Sequence, residues 1–215
     1  MMHVRSIAPR FAAVILPLLL LGACATSTKL VNVWHDPAYA AGPFKKVIVL
    51  GLGAEGATSR VFEDIFAAEL KRRGVDAIAG HTVFPPDGQP TREVIEQTAK
   101  NVGADGFLVA RLVKTDKETQ YTPGYSPAVL PGGVGYYNNF YGYYSAAVTY
   151  SPPVAFQYEV VTIETNLWDV RSDKMVWAGT TQTFAPGSVN QEAPGFAKLI
   201  IDALAERKLI PAKPS

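Results

Sequence analysis

The chain has 215 residues, a formal net charge of +1, and 18% charged residues. This balance provides no strongly basic surface, so the sequence predicts no nucleic-acid partner. Cys24 is the single cysteine, which excludes an intramolecular disulfide and a cysteine-rich metal site. The fold must therefore be held together by core packing.

The first 23 residues have the pattern of a secretory leader. Arg5 and Arg10 give the start a positive charge, and residues 11–21 form an uninterrupted apolar run. The run is too short for a transmembrane helix, which needs about 20 apolar residues. A positive start followed by a short apolar core is typical of a signal peptide.

The stretch Leu21-Gly22-Ala23-Cys24 resembles the lipobox of bacterial lipoproteins. This resemblance implies cleavage before Cys24 and attachment of several acyl chains, enough for stable membrane anchoring. The alternative is that Cys24 is a small buried residue of an uncleaved helix. Ala25 follows instead of Asp, which under the usual Gram-negative sorting rule implies the outer membrane, facing the periplasm. The predicted partner of this region is the membrane.

Removal of residues 1–23 takes away Arg5 and Arg10 and no acidic residue, leaving 192 residues with 18 basic and 19 acidic side chains. That length is enough for one domain with its own core. We predict that residues 24–43 carry the lipidated cysteine, a tether and a first strand. Residues 44–211 then form a single domain that includes an uncharged segment at 119–157.

Alternating and apolar runs predict six strands. The runs cover residues 29–34, 45–52, 75–79, 107–113, 157–170 and 175–184. A polar turn at residues 171–174 joins the last two runs as a hairpin.

Two amphipathic helices alternate with the early strands. The apolar face of the first helix comprises Phe62, Ile65, Phe66 and Leu70. Thr58 or Ser59 is its expected N-cap, and Gly74 is expected to end it. Thr91 and Gly103 are the corresponding limits of the second helix.

A third helix follows the hairpin, with an apolar face within residues 196–204. The element order predicts an α/β (α+β-like) fold. It has one mixed sheet of about five to six strands, with two to three helices packed on it, plus a Tyr/Gly/Pro-rich insertion.

The insertion has an unusual composition. Residues 119–157 contain no charged side chain, and residues 121–153 hold eight tyrosines, five glycines and five prolines. One interpretation is a loop without fixed structure. The other is a contact surface for a protein partner, a second copy, glycan strands or the membrane interface, because tyrosine combines apolar area with a hydroxyl group. The candidate contact residues are Tyr136, Tyr137, Tyr141, Tyr143 and Tyr144.

Gly51, Gly53 and Gly56 match the G-x-G-x-x-G pattern of dinucleotide-binding turns, and Asp76 follows at a suitable distance. Phosphate binding needs the helix to start within the motif. The expected caps place the helix start after Gly56, and Asp76 begins its strand instead of ending it. We therefore predict a structural glycine-rich turn and no cofactor.

The remaining polar candidates do not form a catalytic pattern. His35 and His81 lie in separate predicted loops without a metal-ligand spacing, so no metal site is predicted. Glu63 and Asp64 are adjacent on a helix and point in different directions. They are expected to be solvated residues that complement the helix dipole. With no catalytic residue identified, the prediction is that the protein is not an enzyme.

Trp34, Trp168 and Trp177 are candidates for lining a ligand groove; the alternative is that Trp168 and Trp177 brace the hairpin against neighbouring strands. Strands are where aromatic residues are enriched, which favours the second. Arg60, near the start of the first helix, is expected to be an ion-pair partner.

Three runs carry a family resemblance, at residues 46–75, 101–113 and 160–181. Within them stand Arg60-x-x-Glu63-Asp64, Gly103-Ala104-Asp105 and the Leu167–Trp177 hairpin. They resemble uncharacterised bacterial envelope lipoproteins of the domain-of-unknown-function kind. More remotely, they resemble the α/β module shared by the TolB N-terminal domain and the curli-secretion lipoprotein. The resemblance implies a fold and a compartment and no reaction.

The predicted function is a lipid-anchored periplasmic envelope protein that acts as a non-catalytic binding or assembly module. The alternatives are an oligomerising subunit of a secretion or transport complex and an envelope hydrolase.

Overall fold

The computed structural model describes residues 28–54, 56–85, 90–124 and 153–212. Its strands are β1 (Thr28–His35), β2 (Lys46–Leu52), β3 (Asp76–Ala79), β4 (Gly106–Thr122), β5 (Val154–Asp169) and β6 (Lys174–Phe184). Its helices are α1 (Gly56–Arg72), α2 (Arg92–Val102) and α3 (Val189–Glu206), with a 3₁₀ turn at Gly80–Thr82. Cys24 and the candidate residues Tyr136, Tyr137, Tyr141, Tyr143 and Tyr144 lie outside the described residues, so their predicted roles stay predictions.

All six strands form one mixed sheet in the order β1-β6-β5-β4-β2-β3. Strand β2 is parallel to both of its neighbours, β3 and β4, whereas β4, β5, β6 and β1 pair antiparallel. The fold prediction is therefore confirmed. From β2 the chain crosses to β3 through α1 and returns past β2 to β4 through α2. Right-handed crossovers in opposite directions place α1 and α2 on opposite faces of the sheet.

The larger core lies between the sheet and the pair α1 and α3. Phe62, Phe66 and Phe196 interlock there, with ring centroids 5.5 to 6.0 Å apart. Trp177 of β6 is fully buried in the same core. A smaller core on the other face includes Ile48 of β2, which is also fully buried.

Helix α2 has the limits that its sequence predicts. The Thr91 side chain accepts a hydrogen bond from the Val94 backbone N–H, as an N-cap does. Gly103 follows the helix with φ 69°, a left-handed conformation that glycine adopts without a Cβ clash. Ser188 is the N-cap of helix α3, and its backbone N–H donates a hydrogen bond to the Gln191 side chain at 2.9 Å, as in a capping box.

Asp105 ties two parallel strands together at the end of the sheet where they begin. Its carboxylate accepts hydrogen bonds from the backbone N–H groups of Lys45 (2.8 Å) and Lys46 (3.0 Å). Its own N–H donates to the Lys46 carbonyl. The Gly103-Ala104-Asp105 element therefore has a structural role, since it ends α2 and starts β4 against β2.

Strands β4 and β5 are longer than predicted. Strand β6 ends at Phe184, opposite Val160, and β2 ends at Leu52, opposite Arg111. The pair β4 and β5 continues alone to Thr122 opposite Val154. We call residues 115–122 and 154–160 the ribbon. The strand prediction stopped early because a two-stranded ribbon covered by no helix needs no continuous apolar face.

Candidate functional site

The start of β1 and the base of the ribbon lie at the same end of the sheet. In the strand register, Thr28 is opposite Thr183, Thr183 is opposite Val161, and Val161 is opposite Thr115. These four residues form one row across the sheet, and the ribbon continues beyond it. Thr28, where the described chain begins, therefore lies at the ribbon end of the sheet.

The outer part of the ribbon, which we call the ribbon tip (residues 119–122 and 154–157), exposes apolar side chains. Tyr121 is 75% exposed and Phe156 is 57% exposed. On β5, Val154, Phe156 and Tyr158 alternate with Ala155 and Gln157 and so share one face. A two-stranded element with this much exposed aromatic area is a candidate contact surface.

Charged residues of the ribbon lie in its inner half, at Asp116, Lys117, Glu118 and Glu159. Lys114 pairs with Asp116 at 2.7 Å just where the ribbon begins. Further out, the Tyr158 hydroxyl donates a hydrogen bond to Glu118 at 3.0 Å, which raises the pKa of that tyrosine. Beyond Glu118 on β4 and before Glu159 on β5, the ribbon has no charge.

Strand β1 forms one edge of the sheet and presents apolar side chains there. Val31, Val33 and Trp34 are all exposed. Within the described part of the chain, no strand pairs with the outer side of β1. An exposed edge strand offers free backbone N–H and C=O groups to a partner. It is the second candidate contact surface.

A polar cluster forms where β2 and β3 end, close to the start of α1. Glu63 is buried, and its Oε1 accepts a hydrogen bond from the Gly51 N–H at 2.9 Å. Its Oε2 faces the His81 backbone N–H at 2.8 Å and the His81 Nδ1 at 2.9 Å. The Nε2 of His81 lies 3.4 Å from an Asp64 carboxylate oxygen. Glu63 thus links β2, α1 and the 3₁₀ turn.

The expectation that Glu63 is solvated was wrong, whereas Asp64 is exposed as predicted. The buried positions of α1 are Glu63, Phe66, Ala67 and Leu70, spaced at i, i+3, i+4 and i+7. A search for apolar periodicity passes over a carboxylate on such a face. His81 was also placed in a loop, although it belongs to the 3₁₀ turn and directly approaches Glu63. The position of His81 just after a strand of a parallel pair was the available signal.

The glycine motif has a different geometry from the one predicted. Helix α1 begins at Gly56, inside the motif, so the predicted caps Thr58 and Ser59 were wrong. The Ser59 hydroxyl instead donates to the Gly51 carbonyl at 2.6 Å. A Cβ at Gly51 would lie 2.9 Å from that hydroxyl, and Gly53 has φ 84°. Close helix packing and a left-handed turn therefore account for these two glycines.

Asp76 begins β3, as predicted, and forms an ion pair with Lys46 at 3.0 Å. It lies at the end of the sheet opposite Gly53, because β2 and β3 start together there. Arg60 is exposed, and within the described residues it forms no salt bridge, so an ion pair across an interface stays a prediction.

The three tryptophans do not line a common groove. Trp177 packs in the core beneath α1 and α3. Trp168 lies opposite Phe107 and is partly exposed on the other face of the sheet. Trp34 is exposed at the β1 edge. Bracing within the sheet therefore applies to Trp177 and Trp168, and Trp34 belongs to the edge surface.

Two small cavities lie outside the polar cluster. One, of about 200 Å³, is mainly apolar and lies between α1, α3 and the ribbon end of β5 and β6, with Phe62, Ile163 and Phe196 in its wall. The other, of about 220 Å³, is lined by side chains of α1 and α3 that include Arg73 and Lys198. Neither cavity is lined by Glu63 or His81.

The described segments also provide two negative observations. They contain no group of three or more His, Cys, Asp or Glu side chains arranged to hold a metal ion. Among the helices within these segments, none is long and apolar enough to cross a membrane.

Solved structures with a related arrangement include two bacterial proteins. The PelC dodecamer from Paraburkholderia phytofirmans is 16% identical, with a TM-score of 0.41, and the match covers 84% of this chain and 97% of PelC. Lipoprotein GNA1162 from Neisseria meningitidis is 14% identical, with a TM-score of 0.39, and the match covers 76% of this chain and 96% of GNA1162. No protein-family model matches the chain, and no curated protein matches it.

Proposed function

We propose that this chain is a lipid-anchored envelope protein whose α/β domain acts as a non-catalytic binding or assembly module. Cys24 is the proposed lipidation site, and the outer membrane, facing the periplasm, is the proposed location. The observation that carries the proposal is the exposed edge strand β1, which follows Cys24 closely and presents Val33 and Trp34. Tyr136, Tyr137, Tyr141, Tyr143 and Tyr144 remain additional contact candidates.

The polar groups of the domain support a role without catalysis. Both carboxylate oxygens of Glu63 are occupied by N–H donors of the protein itself. The imidazole of His81 faces Glu63 through one nitrogen and Asp64 through the other. These groups serve internal connections, and neither described cavity gives them a substrate-sized space.

A charge on the β1 edge is expected to remove the contact. In Val33→Lys, the added ammonium group disfavours docking of a second strand, as charged edges do in natural sheets. We expect cross-linking of intact cells to lose the partner or self-adduct seen with the wild type. Val94→Lys is the matched control, because Val94 is 40% exposed against 38% for Val33 and lies on α2. Equal adducts in both variants would remove β1 from the contact surface.

Loss of the acylated thiol is expected to abolish anchoring. Cys24→Ala should yield a precursor that takes up no labelled palmitate and no longer fractionates with outer membranes, since the stable attachment depends on the acyl chains. The measurement is palmitate labelling combined with density fractionation of membranes. Palmitate incorporation into Cys24→Ala would contradict lipidation at this residue.

A further inference from the structure

We propose that the ribbon tip contacts the lipid bilayer and forms a second membrane attachment beside the lipid anchor. This inference rests on the proposed lipidation of Cys24. The ribbon tip contacts the headgroups and upper acyl chains of the same membrane that holds the lipid anchor.

The reach of Cys24 from Thr28 and the length of the ribbon beyond Thr115 can be compared directly. Cys24 precedes Thr28 by four residues, so it reaches at most about 14 Å beyond the row of Thr28 and Thr115. The ribbon runs from Thr115 to Thr122 in strand conformation, which spans about 23 Å. The tip thus projects farther from the domain than the anchor can reach. When the strands stand along the membrane normal, a membrane surface that holds Cys24 therefore meets the ribbon.

The ribbon changes from charged to uncharged residues within the distance that Cys24 can reach from the row of Thr28 and Thr115. Glu118 is the last charge on β4, three residues beyond Thr115, or about 10 Å from that row. This is within the reach of Cys24. Farther out, the described residues are uncharged and include the exposed Tyr121 and Phe156. Charges are costly below the headgroups, whereas tyrosine is enriched at the membrane interface.

The neighbouring sequence continues this pattern. Residues 125–152, which connect the two strands of the ribbon, also contain no Asp, Glu, Lys or Arg. The opposite end of the sheet differs, since Lys71, Arg72 and Asp173 are exposed there. The two ends of the domain thus have the polarity expected for a membrane side and an aqueous side.

The test uses the full mature lipoprotein, labelled with an environment-sensitive NBD fluorophore at Phe156→Cys. A matched control carries the label at Lys71→Cys, an exposed position at the opposite end of the sheet. Both are bound to vesicles of phosphatidylethanolamine and phosphatidylglycerol, with and without nitroxide-labelled lipid. We expect a blue shift and nitroxide quenching at position 156, and an aqueous, unquenched emission at position 71.

Failure of the anchor and failure of the ribbon contact give different results. Two results report on the anchor alone. The wild type floats with vesicles, and its acylated Cys24 takes up no NBD label. If the protein floats while the label at position 156 remains aqueous, the ribbon contact is excluded. A blue shift without nitroxide quenching would indicate a protein neighbour, such as a second copy, and would also overturn the proposal.

Discussion

Replacement of Glu63 by alanine is expected to lower the free energy of unfolding by about 2–5 kcal/mol. The change leaves the backbone N–H groups of Gly51 and His81 without their acceptor in a buried site, and each unsatisfied donor costs about 1–3 kcal/mol. The three linked elements β2, α1 and the 3₁₀ turn lose their common acceptor at the same time. Urea unfolding followed by far-UV circular dichroism measures the loss.

Two further variants separate charge from hydrogen bonding at this site. Glu63→Gln keeps the shape, but its amide NH₂ group must face either the Gly51 or the His81 N–H, so a destabilisation of about 1–3 kcal/mol is expected. Asp64→Ala is the control, since Asp64 is exposed one residue away, and its effect should stay within about 0.5 kcal/mol. Equal losses for Glu63→Ala and Asp64→Ala would contradict the structural role of Glu63.

Trp177→Ala is expected to destabilise the domain by about 3–5 kcal/mol, because it removes a fully buried indole from the core under α1 and α3. The surrounding β6 backbone limits collapse of the resulting space. Gly179, two residues along the strand, is part of this packing, since a Cβ there would lie 2.3 Å from the indole ring. The measurement is again urea unfolding at equilibrium.

Trp168→Ala provides the matched control within the same hairpin. Trp168 is partly exposed on the opposite face, so its truncation removes less buried area and should cost clearly less than Trp177→Ala. Trp177→Phe should also cost less, because the Trp177 Nε1–H has no acceptor among the described residues and its removal gives up no hydrogen bond. Comparable losses for Trp168→Ala and Trp177→Ala would contradict the assigned core.

Local periodicity was sufficient for the number and type of elements. The alternation in residues 160–170 predicts β5 because Ile163 and Leu167 share the face that packs in the core beneath α1 and α3. Thr91 and Gly103 predict the limits of α2 because caps act through hydrogen bonds and backbone angles within one helical turn. The predicted start of α1 lies three or four residues too late, because Ser59 uses its hydroxyl to bond across to β2 instead of capping its own helix.

The polar cluster could not be predicted in the same way. Glu63 contacts Gly51 and His81, which are 12 and 18 residues away along the chain. These residues meet only when α1 packs over β2 and the chain returns through β3. A carboxylate in an amphipathic helix is normally solvated, and only the convergence of these backbone N–H donors makes its burial favourable.

By itself, the sequence determined the six strands, the three helices, the lipobox-like stretch at Cys24 and the uncharged composition of residues 119–157, because each is a local property of the chain. Tertiary structure decided how these features relate. Antiparallel pairing of β1 with β6 brings Thr28 to the ribbon end of the sheet, and the register of β4 with β5 sets how far the ribbon projects. Both depend on pairings between residues far apart in sequence, for which a single chain carries no local signal.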